Sequence, residues 1–183
     1  MEDTLAAADE QVRALVRGYL GGQRDAASEL VDRYQTRLFN LALRMLDNAQ
    51  DAEDVTQTVF LNAFVKLRTY DPRYRFFSWI YRMTVNESLN VLKRRKQTVS
   101  LDDAPDMPAP GTRSSGATEA HDQVAQALMR LTPDDRAVVV LRHFVSFSYE
   151  EMADVLEIQV KTVKSRLFTA KERLRLALRE QGA

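Results

Sequence analysis

Cysteine is absent from the 183 residues. That excludes disulfide frameworks, zinc–thiolate sites, iron–sulfur clusters and thiol catalysis together. Long apolar runs are also missing. The longest uncharged stretch, Val55 to Val65, has 11 residues, against about 20 needed to cross a bilayer. The start, Met-Glu-Asp-Thr, is acidic and lacks the basic opening of a secretory signal. Together these features predict a cytoplasmic protein with no membrane insertion. Proline is scarce and unevenly placed: Pro105, Pro108 and Pro110 crowd one segment, leaving only Pro72 and Pro133 elsewhere. No run alternates with the period of a strand, and no internal repeat is present. The expected fold class is all-α.

The crowded segment, residues 97–120, has no apolar periodicity and reads as a flexible acidic linker. It divides the chain into a domain over 1–96 and a smaller one over 121–183. Caps place the helices. Asp25 precedes a stripe of Leu30, Tyr34, Leu38, Leu41 and Met45, and Asp51 starts the next helix with Asp54 beside the orphan amides. A third helix is expected from about Phe77 to Arg95. In the second domain Thr132 caps a helix whose first residue is Pro133, and Ser148-Tyr-Glu-Glu151 is a capping box.

The net charge is zero, but it is not evenly spread. Residues 1–65 carry 6 basic and 11 acidic groups, and residues 66–96 carry 9 and 2. Residues 97–122 carry 1 and 5, while Lys161 to Arg179 holds 7 against 1. Two concentrated positive segments form the electrostatic footprint of phosphate contact.

Each positive segment has its own pattern. In the second, a short helix over Tyr149–Leu156, a turn Glu157-Ile-Gln-Val160 and a longer basic helix from Lys161 make a helix-turn-helix, whose second helix enters the major groove. Val163, Leu167, Ala170 and Leu174 form its core stripe. Lys161, Lys164, Ser165 and Phe168 lie opposite, an aromatic beside donors suited to a thymine methyl and base edges. In the first, six of fifteen aromatic residues fall within twelve positions: Tyr70, Tyr74, Phe76, Phe77, Trp79 and Tyr81. Arg68, Arg73, Arg75 and Arg82 are interleaved. Unstacked bases regain stacking on such rings, so single-stranded nucleic acid is the expected ligand. The helix that follows has an apolar face of Tyr81, Val85, Leu89 and Leu92, and a separate stripe of Trp79, Met83, Asn86 and Asn90. Asn86 is placed there to read a base edge.

The helix from Asp51 turns Val55, Val59, Phe60, Ala63, Phe64 and Leu67 inward. Its other side offers Asp51, Asp54, Gln57, Thr58 and Leu61, an apolar centre with a polar rim, the anatomy of a protein interface. An enzyme finds little support. His121 and His143 lack a second histidine at ligand spacing, and no phosphate loop or nucleophile elbow is present. No catalytic residue, metal or cofactor is expected.

Three segments carry a family resemblance: RYQTRLFNLALRMLDNAQDAEDVTQTVFLNAF, FFSWIYRMTVNESLNVLKRRK and LTPDDRAVVVLRHFVSFSYEEMADVLEIQVKTVKSRLFTAKERLRLAL. In order and spacing the chain resembles a bacterial sigma factor of RNA polymerase, of the extracytoplasmic-function type that keeps only domains two and four. The resemblance implies that Asp51, Glu53, Asp54, Gln57 and Leu61 dock on the β′ clamp of core RNA polymerase. It implies that Tyr70, Tyr74, Phe76, Phe77, Trp79, Arg82 and Asn86 open the −10 element of promoter DNA and hold its flipped base. Lys161, Thr162, Lys164, Ser165, Arg166 and Phe168 would read the −35 element as duplex. An anti-sigma factor is the further partner it implies. Three departures stand out: Thr58 in place of a usual Glu, Glu157 and Lys161 in place of glycines, and Thr169 in place of an arginine. Glu157 is therefore expected to adopt positive φ at a steric cost. The alternative reading is a stand-alone helix-turn-helix regulator of duplex DNA.

Overall fold

The computed structural model describes residues 2–101 and 119–181, with side chains over 9–98 and 123–180. Among the described residues every element is helical, as the sequence predicts. The first group comprises α1 (Glu2–Leu20), α2 (Asp25–Leu46), α3 (Ala49–Lys66), a short 3₁₀ turn (Leu67–Thr69) and α4 (Phe76–Leu101). The second comprises α5 (Glu119–Met129), α6 (Pro133–His143), α7 (Tyr149–Leu156) and α8 (Val160–Gln181).

α2 is the axis of the first group. Its 3.6-residue stripe, Leu30, Tyr34, Leu38, Leu41 and Met45, is buried throughout, with α1, α3 and α4 packed around it. Val12 and Val16 seat α1, a helix with no sequence prediction of its own. Two expected caps are displaced. Arg24, not Asp25, holds the N-cap position of α2 and makes no side-chain cap, while Asp25 lies in the first turn. At α3 the cap is Asn48, whose side chain accepts from the Asp51 N–H at 3.0 Å. Asp51 therefore sits one turn inside. α4 begins at Phe76 and runs to Leu101, and α5 begins at Glu119, so seven residues assigned to the linker, 97–101 and 119–120, are helical. The linker's remaining residues 102–118 lie outside the described residues.

The second group is built on α6. Ala137-Val-Val-Val-Leu141 is apolar on every side and buried on every side, as a helix enclosed by neighbours must be. α8, α7 and α4 pack around it and α2 closes the remaining face, while α5 lies against α8 and α2. Thr132 accepts from the Asp135 N–H at 3.2 Å and Pro133 follows, as predicted. The Ser148–Glu151 capping box is complete: Ser148 Oγ accepts from the Glu151 N–H at 3.1 Å, and Glu151 Oε2 accepts from the Ser148 N–H at 2.8 Å. Asp135 and Arg136 are buried side by side. Asp135 pairs with Arg173 of α8. Arg136 donates to the carbonyls of Leu128, Met129 and Leu131 at the end of α5, and to that of Met45 near the end of α2.

Among the described residues three non-glycines have left-handed backbone: Asp47 (φ 49°), Ser146 (φ 65°) and Glu157 (φ 54°). Glu157 ends α7 with the positive φ expected of it. Ser146 lies in the α6–α7 connection. Ser146→Gly is expected to raise the thermal midpoint, and Ser146→Val to lower stability by about 1–2 kcal/mol, since a β-branched side chain clashes there. Circular dichroism melts of both variants test this; shifts of one sign would remove the strain.

Candidate nucleic-acid interface

Three surfaces hold the residues singled out above. On α8 the turn Glu157–Gln159 delivers the helix with Val163, Leu167 and Ala170 buried inward. Phe168 is 71% exposed on the opposite side. Lys161, Lys164 and Ser165 are exposed with it, and Thr162 and Arg166 are half-buried at its margins. Lys164 Nζ lies 5.3 Å from the centre of the Tyr149 ring, which steadies its long chain. Ser165 Oγ donates to the Thr162 carbonyl at 3.1 Å, and Arg166 reaches Asp134 at 3.8 Å.

The aromatic cluster of the first group divides into rings that pack and rings that show. Tyr70, Phe76 and Tyr81 are buried, while Tyr74 is 65% exposed and Phe77 and Trp79 are half-buried. Phe76 meets Tyr34 and Tyr70 with centroids 5.5 Å apart in both pairs, and Trp79 lies 5.4 Å from Tyr70. Burial pushes the Tyr34 phenol up to about 12 and raises that of Tyr70 as well. Tyr70 Oη donates to the Tyr74 carbonyl at 2.6 Å, closing the loop between the 3₁₀ turn and α4. Asp71 accepts from the Arg73 backbone and side chain and completes that turn.

Behind this loop is a pocket of about 210 Å³, lined by Thr69, Tyr70, Asp71, Tyr74, Ser78, Trp79 and Arg82. The Ser78 hydroxyl is buried there without a hydrogen-bond partner. Arg75 also lines it, and Asp154 of α7 closes one side. Asn86 is exposed about one helical turn beyond Arg82 on α4. Arg75 and Ser78 are site residues that the sequence did not single out. Arg75 was visible among the interleaved arginines, whereas a lone serine carries no signal.

The third surface is α3. Glu53, Asp54 and Gln57 are exposed, Thr58 is half-buried, and Leu61 and Val65 are 69% and 80% exposed on adjacent turns. Asp51 is different. It pairs with Arg95 of α4, and Arg95 also donates to the Leu46 carbonyl at 3.3 Å.

The chain matches sigma-70 region 2 over residues 30–98 and sigma-70 region 4 over residues 121–174. It belongs to the sigma-70 family, as a sigma factor of the extracytoplasmic-function type. The chain is 30% identical to the ECF RNA polymerase sigma factor SigW of Bacillus subtilis, covering 87% of this chain and 92% of that one. Among solved structures it resembles CnrH in complex with the cytosolic domain of CnrY, with a TM-score of 0.71 and 27% identity over 92% of this chain and 97% of the other. The fold is also that of RpoE in complex with the anti-sigma factor NepR from Bartonella quintana, with a TM-score of 0.69 and 23% identity over 83% and 96%. Region 2 of this sigma factor thus takes in α2, α3 and α4, and region 4 takes in α5 to α7 and most of α8. No helix among the described residues is long and apolar enough to cross a membrane.

Proposed function

We propose that this sigma factor directs core RNA polymerase to promoters by reading the −35 element as duplex and the −10 element as melted single strand. The observation that carries this reading is the coexistence of two unlike DNA surfaces on one chain. α8 presents a convex, basic face with an outward phenylalanine, suited to the major groove. The Tyr70–Trp79 pocket is concave, ring-walled and small, suited to one unstacked base. A regulator of duplex DNA alone has use for the first surface and none for the second. Tyr74, Phe77, Trp79, Arg82 and Asn86 supply stacking and polar contacts at the −10 site, while Tyr70 and Phe76 hold the pocket wall from within the core. Lys161, Thr162, Lys164, Ser165, Arg166 and Phe168 serve the −35 site.

Glu53, Asp54, Gln57 and Leu61 form the polymerase-docking face, with Asp51 at its edge holding α3 to α4. The protein itself supplies recognition and no bond-making step, and it acts in the cytoplasm beside the polymerase. An anti-sigma factor is a natural partner, by analogy with the RpoE–NepR complex. A cleft of about 770 Å³ between α1, α2, α4 and the α6–α7 connection suits a partly apolar segment with a carboxylate, since Arg37, Arg44 and Phe144 are among its lining, while Arg75 there is already paired with Asp9 and Glu151.

Run-off transcription with core polymerase, with and without the chain, tests the whole reading. Two sets of variants then separate the DNA sites. Lys164→Ala and Phe168→Ala are expected to weaken binding to a double-stranded −35 fragment by about 1–3 kcal/mol. Asn86→Ala is expected to leave that fragment untouched and to alter base preference at one −10 position. Pre-melting that position should restore opening without restoring preference. An unchanged −10 preference would return Asn86 to an ordinary solvent-facing residue.

A further inference from the structure

The buried hydroxyls of the first helical group fall into two kinds. Thr56, Ser78, Thr84 and Ser88 are all at most 5% exposed. Thr56 Oγ1 donates to the Ala52 carbonyl at 2.7 Å, Thr84 Oγ1 to the Ile80 carbonyl at 3.0 Å and Ser88 Oγ to the Thr84 carbonyl at 2.8 Å. Each of these carbonyls lies four residues back along the same helix. Ser78 breaks the rule. Its hydroxyl has no partner, and the carbonyl four residues back, that of Tyr74, receives the Tyr70 phenol at 2.6 Å instead. One turn further along the same face of α4, Arg82 is in a similar condition. Its terminal nitrogens donate to Glu157 Oε1 at 2.8 Å and to the Asp154 carbonyl at 2.6 Å, which leaves Nε buried without an acceptor. Among the described residues three buried side-chain polar atoms lack a partner, Arg44 Nε being the third. The other two belong to residues that line one pocket, the ring-walled one of about 210 Å³.

A buried donor without a partner works against the fold, and two on one pocket wall call for something that satisfies both. We propose that Ser78, with Arg82 beside it, selects the base that enters this pocket. Ser78 Oγ and Arg82 Nε donate to acceptors on the base edge, so the site takes a base with a ring carbonyl (cytosine, thymine or guanine) and disfavours adenine. The proposal rests on the assignment of the pocket to the −10 element and names what the pocket reads there. The rings cannot make that choice. Trp79, 5.4 Å from Tyr70 and 5.5 Å from Phe76, offers a stacking surface, and every base has a face to stack. Discrimination needs directional groups. The acceptors of the pocket are already engaged: the Asp71 carboxylate holds Arg73, and the Tyr74 carbonyl holds Tyr70. The groups left over are a hydroxyl and an N–H that can only donate. Adenine carries no carbonyl oxygen and sets an amino group beside its N7, so it brings a donor against a donor.

The test uses polymerase holoenzyme containing the full chain, on pre-melted templates with every base at each −10 position. The parent is expected to favour a carbonyl-bearing base over adenine at one position by at least about fivefold. Ser78→Ala should shrink that preference to within about twofold and leave the other −10 positions as they are. Melting of the chain without DNA gives an independent readout. Ser78→Ala deletes an unpaired hydroxyl, whereas Ser88→Ala gains the same helix propensity but deletes a bonded one. The first variant should therefore melt above the second. A parent that favours adenine or no base, or a Ser78→Ala holoenzyme with the parent's preference, would overturn the selection. Ser78→Ala melting below Ser88→Ala would mean that its hydroxyl is bonded in the free chain, and would overturn it as well. Tyr74→Ala reports separately on the assignment beneath, since that ring is 65% exposed on the pocket lining. If promoter opening is unaffected by its loss, the −10 site lies elsewhere. If opening suffers while Ser78→Ala keeps the parent's preference, the role of Ser78 alone is wrong.

Discussion

Arg136→Met is expected to cost the second helical group about 3–5 kcal/mol, most of what holds it folded. The guanidinium is 4% exposed and is shared among four carbonyls on two helix ends and the turn after α5. Burial pulls its pKa down to about 10, which still leaves it charged at neutral pH. Methionine fills similar volume but donates nothing, so carbonyls at the ends of α5 and α2 lose their partner away from water. A domain of about 60 residues has only about 3–9 kcal/mol in hand. The thermal midpoint should fall by at least about 12 °C, since 1 kcal/mol shifts a domain this size by about 4–8 °C. Arg136→Lys should recover only part, because a single ammonium cannot span the same set of acceptors. Calorimetry of the full chain measures this directly. A loss below about 1 kcal/mol would mean that water replaces the guanidinium without difficulty.

Leu61→Arg is expected to weaken binding to core RNA polymerase by at least about 2 kcal/mol, roughly 30-fold, while leaving the fold within about 0.5 kcal/mol of the parent. Leu61 is 69% exposed and Val65, one turn on, is 80% exposed. An isolated apolar side chain on a surface needs no explanation, but two in register beside Asp54 and Gln57 make a centre and a rim. A charge driven into such a centre is desolvated on docking without a partner. Asp54→Arg, at the rim, should act mainly through the association rate and its salt dependence. Titration of fluorescent chain with core polymerase gives the affinity, and circular dichroism gives the fold. A folded Leu61→Arg variant that binds within threefold of the parent would move the docking face elsewhere.

The sequence is most legible where a feature is local. Thr132-Pro133, the Ser148–Glu151 box and the helix-turn-helix all appear as read, because a cap or a turn is decided by residues three or four apart. The inward stripe of α8 and the outward Phe168 follow from helical periodicity alone. Asn48 and Asp51 show the limit of that approach. Both are good N-cap residues, three apart, and choosing Asp51 shifts the helix start by a turn. α4 continues past its expected end at Arg95, since nothing before Pro105 forbids further turns. The rings were legible as a cluster but not as core and surface, since Tyr70 and Tyr74 differ only in what the loop turns inward. Least legible was the contact between α4 and α7. Glu151 and Glu157 read as helix-end carboxylates, and nothing nearby in the chain announces that Arg75 and Arg82 will meet them.

The Arg82–Glu157 and Arg75–Glu151 pairs also bear on how ionic strength acts on this chain. All four side chains are partly exposed, so dissolved ions screen both pairs. Beside them Phe147 sets its ring against those of Phe77 and Tyr81, a contact that carries no charge to screen. Added salt therefore weakens the polar half of the contact between α4 and the α7 region and leaves the apolar half in place. The thermal midpoint of the chain should dip as salt is raised from a low concentration and then level off.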